Sequence, residues 1–149
     1  MRVEVRKTIA VPAEQVWSKL RTFDELDKWL PIVSTCSIET TANGIKRYCG
    51  FADGTNIVEN LVERDDFSTT LHYNIEDGAM PFTGHKATIA VRDAGSGWSE
   101  VTWSSTMEAG PGAEEAVRGM LEAAYSAGIA GLEGLCLAEQ ERSLSALVH

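Results

Sequence analysis

The sequence predicts an α+β fold in which a seven-stranded antiparallel sheet curves round one long C-terminal helix and leaves an internal cavity between them. Three observations predict it. Two short helical signals lie between residues 13 and 30, hairpin-linked alternating segments fill the middle of the chain, and one long amphipathic stretch closes it. The short connections exclude a βαβ dinucleotide fold, which needs a crossover between each pair of strands, and no glycine fingerprint for phosphate is present. A chain of 149 residues fits a single domain spanning 1–149.

Val3, Val5, Ile9 and Val11 mark a first strand, ended by Pro12, which cannot donate to a ladder but suits a first helical turn. A helix follows from Ala13 to Leu20 with Val16, Trp17 and Leu20 on one stripe, and Phe23-Asp24-Glu25-Leu26 reads as a second capped turn ending before Pro31. Val33–Thr41 and Ile45–Phe51 form a hairpin through Asn43-Gly44, a pair that takes positive φ readily. Asp53-Gly54 precedes a strand at Thr55–Glu63, Asp65-Asp66 separates it from Ser68–Glu76, and Asp77-Gly78 opens a longer connection through Ala79-Met80-Pro81-Phe82 to Thr83–Arg92. Gly95-Ser96-Gly97 turns into the last strand, Trp98–Glu108. The closing helix is expected from Gly112 to Ala138, with Glu114 and Glu115 favoured by its dipole and Val117, Met120, Leu121, Ala124, Leu132 and Leu135 on one face. Beyond Glu139 the chain turns polar and is expected to fray. Gly128, Gly131 and Gly134 interrupt that face, either because the backbone packs closely on the sheet or because open space for a ligand lies beside it.

Net charge −9 and a pI near 4.8 argue against nucleic acid or an anionic membrane surface as partner. No run of about 18 apolar residues could insert into a membrane, and the charged N-terminus lacks a signal-peptide core, so a cytoplasmic location is expected. Cys36, Cys49 and Cys136 form no CxxC pair and read as reduced, structural thiols. The histidines lack HExxH spacing and no GxSxG elbow occurs, so neither a metal site nor serine hydrolysis is expected, and no cofactor is required.

Strand parity supplies the candidate site. Ile57, Glu59 and Leu61 share one face, which sets a carboxylate in an apolar row; Glu59 is then either an edge residue bonded to solvent or a backbone amide, or a cavity acid. Leu71, Tyr73 and Ile75 share a face, as do His85, Ala87, Ile89 and Val91, and both rows line the concave side; His72 falls outside and His149 is terminal. His85 is either a satisfied core or rim histidine or a ligand-contacting acid/base group. Trp98 and Trp103 are large aromatics of the kind that usually pack into a core. On the last strand, either Trp103 or the row Thr102, Ser104, Thr106 faces the cavity, but not both; Tyr125 lies near the apolar face of the long helix.

The stretch Ile9-Ala10-Val11-Pro12-Ala13-Glu14-Gln15-Val16-Trp17, followed by Phe23-Asp24 and Trp29-Leu30-Pro31, resembles the opening of the START-related, Bet v 1-like (SRPBCC) superfamily. The similarity continues through Ser34–Glu39, Tyr73–Phe82 and Glu100–Ser104. It is strongest to polyketide cyclase/dehydrase-like proteins and to the plant abscisic-acid receptors. The resemblance implies a helix-grip fold, with Glu59 at the place of a cavity acid, His85 at that of a pocket tyrosine, Ser34 at that of the lysine that meets the hormone, and Ser104 facing inward. Because serine replaces the lysine and Met80-Pro81-Phe82 replaces the latch, abscisic-acid binding and the matching phosphatase partnership are not implied.

The expected function is binding, transport or sensing of a small hydrophobic molecule, anchored by Glu59, Tyr73 and His85 and contacted by Ser34, Ile57, Leu61, Ile75, Met80, Phe82, Ala87, Ser104 and Tyr125. The alternative is a cofactor-free cyclase or dehydratase with Glu59 and His85 as base and acid. As an interaction module, the chain would instead expose Met80 and Phe82 to a partner, and pairing with a second copy as a homodimer stays open.

Overall fold

The structure, a computed structural model, describes residues 1–148; His149 lies outside them. The elements run β1 (Arg2–Ile9), α1 (Ala13–Leu20), α2 (Leu26–Trp29), β2 (Val33–Thr41), β3 (Gly44–Phe51), β4 (Asn56–Asp65), β5 (Thr70–Ile75), β6 (Phe82–Asp93), β7 (Ser99–Ala109) and α3 (Glu114–Val148). All neighbouring strands are antiparallel, in the order β1-β7-β6-β5-β4-β3-β2. The meander from β2 to β7 is thus extended by the N-terminal strand, and α3 packs against β1, β7, α1 and α2. This is the helix-grip arrangement expected from the sequence.

Local chemistry explains the elements that set the geometry. Pro12 caps α1, and its carbonyl accepts from the amides of Gln15 and Val16. The amphipathic stripe then buries Val16, Trp17 and Leu20. Phe23 follows with φ of 65°, unusual for a bulky residue, and its ring is almost wholly buried. Gly44 takes φ of 126° in the β2–β3 hairpin, a conformation that side chains resist. On the surface, Trp17 Nε1 and Arg21 both reach Asp66 in the β4–β5 turn, tying the helical corner to that hairpin.

Two expectations for α3 change. The helix does not fray after Glu139 but continues to Val148. The added residues contain no glycine or proline, and Lys19 pairs with Glu139 while Gln140 Nε2 donates to Gln15 Oε1, so the extension is held to α1. Two of the three glycines mark close packing, against α2 and Trp103, and the third is exposed to solvent and borders no cavity. A Cβ on Gly131 would collide with the Trp29 carbonyl oxygen, and one on Gly128 would come within 2.7 Å of the Trp103 ring. Gly134 has nothing within 4 Å of that position.

Candidate functional site

Between the sheet and the first half of α3 lies a cavity of about 80 Å³. Its wall is almost entirely apolar, built from α2 (Leu26), the sheet (Ile57, Ile75, Phe82, Trp103) and α3 (Leu121, Ala124). Glu59, Tyr73 and Tyr125 also reach it. A wider cleft of about 470 Å³ lies outside, and Ile32, Phe51, Met80 and Met120 border both spaces. Those four side chains therefore form the constriction between interior and exterior. Two are methionines, whose unbranched, polarisable chains repack at low cost.

The cavity acid has a partner that the sequence reading missed. Glu59 on β4 stands directly opposite Arg47 on β3, and Arg47 Nε donates to Glu59 Oε1 at 2.8 Å with both side chains buried. Cys49 Sγ donates to the same oxygen at 3.4 Å. Arg47 is held further by Nη1 donating to the Phe23 carbonyl, and its guanidinium lies 3.7 Å from the centre of the Phe23 ring. The left-handed Phe23 thus presents both a ring face and a carbonyl to one cation. Burial is the strongest single influence and opposes the charge on Arg47, but the attraction and hydrogen bond of Glu59 together with Cys49 and Tyr73 outweigh it and raise the guanidinium pKa. A signal for Arg47 was present, since Ile45, Arg47, Cys49 and Phe51 alternate as Ile57, Glu59 and Leu61 do.

Aromatic groups complete the interior. Trp103 Nε1 donates to Tyr73 Oη at 2.9 Å, Tyr125 Oη donates to Ser105 Oγ at 2.7 Å, and the Trp103 and Tyr125 rings stack 4.3 Å apart. Burial raises the pKa of both tyrosines, so each stays a neutral hydroxyl.

His85 is positioned by a bulge. The β6–β7 register shifts between Thr83 and Lys86, where Gly84 takes φ of 64°. His85 then turns its Nδ1 to accept the Ile75 amide at 3.0 Å, where the β5–β6 ladder has already ended, and stacks on Phe82. Since Nδ1 accepts, the proton of the neutral ring is on Nε2, which is buried without a partner. Burial depresses its pKa to about 4. No hydrogen bond joins His85 to Glu59 among the described residues.

Of the sequence-predicted site residues, Ile57, Glu59, Tyr73, Ile75, Met80, Phe82 and Tyr125 line the cavity. Ser34 does not: at a bulge between Val33 and Thr35 its hydroxyl is turned to the Gly50 carbonyl, and Val33 reaches the cavity instead. Nor does Leu61, which packs at the core margin just before the β4–β5 register shifts. Ala87 is buried between Tyr73 and Ser105 without reaching the open space, and His85 lies behind Phe82 and Tyr73. Ser104 is the clearest correction. Val101, Trp103, Ser105 and Met107 form the buried inward row, so Trp103 faces the cavity, and the inward hydroxyl belongs to Ser105. Trp98 is half-exposed rather than core. Phe82 is buried, not displayed to a partner, while Met80 is half-buried.

Among the described residues no helix is long and apolar enough to cross a membrane, and no group of three or more His, Cys, Asp or Glu side chains is placed to hold a metal ion.

A family model described as polyketide cyclase / dehydrase and lipid transport matches residues 1–136. Among solved structures, an uncharacterised protein of Bacillus thuringiensis superposes with a TM-score of 0.82 at 28% identity, covering 92% of this chain and 99% of that one. The protein XoxI of Bacillus cereus gives 0.83 at 26% identity, covering 93% and 97%. The di-domain aromatase/cyclase BexL, from the BE-7585A biosynthetic pathway, gives 0.77 at 13% identity over 90% of this chain and 45% of that one, which is a likeness of fold. No curated protein matches the chain.

Proposed function

We propose that this chain, which belongs to the polyketide cyclase/dehydrase and lipid transport family, binds and carries or senses a small, largely apolar molecule that bears a hydroxyl or similar donor. The observation that carries this reading is the lone carboxylate on the apolar cavity wall: Glu59 is charge-compensated from behind by Arg47, and Oε1 takes both protein donors. Oε2 has no hydrogen-bond partner among the described residues and is left to meet a ligand donor. Met80 acts with Met120 as the lid of this space, and Phe82 is part of its inner wall, so neither Met80 nor Phe82 serves as a protein-docking surface.

Two observations weigh against the competing reading, a cofactor-free cyclase or dehydratase that moves protons between Glu59 and His85. Glu59 is engaged by Arg47, and His85 spends its one basic nitrogen on the Ile75 amide.

The test compares 2-naphthol with naphthalene as probes. Replacing the ion pair by Arg47→Met with Glu59→Leu keeps the interior filled, so naphthalene affinity should hold within a few-fold. Affinity for 2-naphthol should fall about 10–100-fold, because a hydrogen bond to a charged acceptor is worth about 1.5–3 kcal/mol. Equal affinities of the wild type for the two probes, or no binding of either, would overturn the assignment.

A further inference from the structure

Cys36 and Cys49 are direct cross-strand partners in the β2–β3 ladder, so their side chains leave the sheet on the same face. Opposed residues of an antiparallel pair have Cα atoms about 4.5–5.5 Å apart, inside the range of about 4.4–6.8 Å that a disulfide spans. Cys49 is buried in the core, and Cys36 packs at its margin. We propose that Cys36 and Cys49 form a reversible dithiol–disulfide pair, a modification site that changes which donors Glu59 receives. This goes beyond the ligand reading and does not depend on it.

The two thiols are unequal in a way that suits sequential exchange. Cys36 is only partly buried, on the strand that forms the edge of the sheet. A hydrogen bond from Cys49 lowers its pKa to about 7 against the opposing effect of burial, with the Leu26 backbone and Arg47 helping and Asp27 on α2 opposing. Cys49 is buried, and the bond to Cys36 together with burial raises its pKa. Its proton is donated to Glu59 Oε1.

The co-reactant is a low-molecular-weight disulfide such as oxidised glutathione. Cys36 thiolate attacks one of its sulfurs, forming a mixed disulfide and releasing one glutathione thiolate. Cys49 loses its proton, for which Glu59 Oε1 is the nearest carboxylate acceptor, and its sulfur attacks Cys36 Sγ and expels the second glutathione. Two cysteine thiols are oxidised, one small disulfide is reduced to two thiols, and both protein protons end on glutathione. Glu59 is then left with Arg47 as its protein donor, so the change at the edge strand reaches a cavity-lining side chain.

The full chain treated with oxidised glutathione should lose about 2 Da and yield one crosslinked peptide containing Cys36 and Cys49, with Cys136 still free to alkylate. Dithiothreitol should reverse the loss. In Cys49→Ser the reaction should stop at a stable adduct of about 305 Da on Cys36, whereas in the wild type loss of the free Cys36 thiol should speed up as pH rises through about 7. In Cys36→Ser both products should be lost. A stable adduct on wild-type Cys36 with no mass loss, a crosslink through Cys136, or no reaction at all would each overturn the proposal.

Discussion

The two halves of α3 meet the rest of the molecule on opposite terms. From Gly128 onward the helix lies against α2, α1 and Trp103 so closely that two positions admit no side chain, and Ile129, Leu132 and Cys136 are completely buried. From Met120 to Tyr125 the same helix faces open space, and the charged pair Arg47–Glu59 lies in the sheet on that side. Tight packing of one half fixes the helix as a rigid lever, and the other half can then stand away from the sheet without collapsing onto it. The cavity is thus a by-product of anchoring elsewhere, and its one ion pair is held within the sheet and by Phe23, while the helix contributes only the Tyr125 hydroxyl, bonded to Ser105.

The strongest way to break the contrast is at the ion pair. Arg47→Met leaves Glu59 buried without its cation and should cost about 3–5 kcal/mol in urea unfolding, whereas the double change with Glu59→Leu should return most of that loss. A double mutant as unstable as the single one would mean the pair is needed for more than mutual compensation. In the packed half, Gly131→Ala forces α3 off the Trp29 carbonyl and should cost about 3 kcal/mol, measured as a drop in Tm. Acid provides a third probe. His85 binds its proton near pH 6.5 in the unfolded chain but only near 4 when folded, so between those values the unfolded state holds the extra proton. Stability should therefore be unaffected by this group above pH 6.5 and fall below it, by about 2 kcal/mol at pH 5, with the decline absent in His85→Gln. The smallest effect sharpens the comparison in the other direction: Gly134→Ala, in open surroundings on the same helix, should gain about 0.5–1 kcal/mol.

The fold was legible because each element carried its own local signal. Pro12 set the start of α1, Asn43-Gly44 set a hairpin, and alternation set every strand to within about three residues of its observed ends. The site was legible only in part, because it depends on register between strands. Glu59 stood out as an acid in an apolar row, but naming Arg47 as its partner required the β3–β4 alignment, which the intervening Ala52–Thr55 turn does not specify. Ser104 and Ser105 are adjacent and identical, so composition could not say which faced inward; only the pairing of the strand on both sides decides it. The extra turns of α3 were hidden for another reason, since polar helix formers look alike whether they fray or are tethered to α1.

The small volume of the cavity bears on how tightly a guest can be held. At about 80 Å³ the interior is well below the roughly 300–1,000 Å³ of ordinary ligand pockets, and only with the outer cleft does the space reach that range. A guest of several carbons must therefore find the molecule with Met80 and Met120 swung apart. Its apparent dissociation constant is the intrinsic one divided by the fraction of molecules already open. Substitutions that trim those two side chains would then tighten binding without adding a single contact, by enlarging the receptive share of the population.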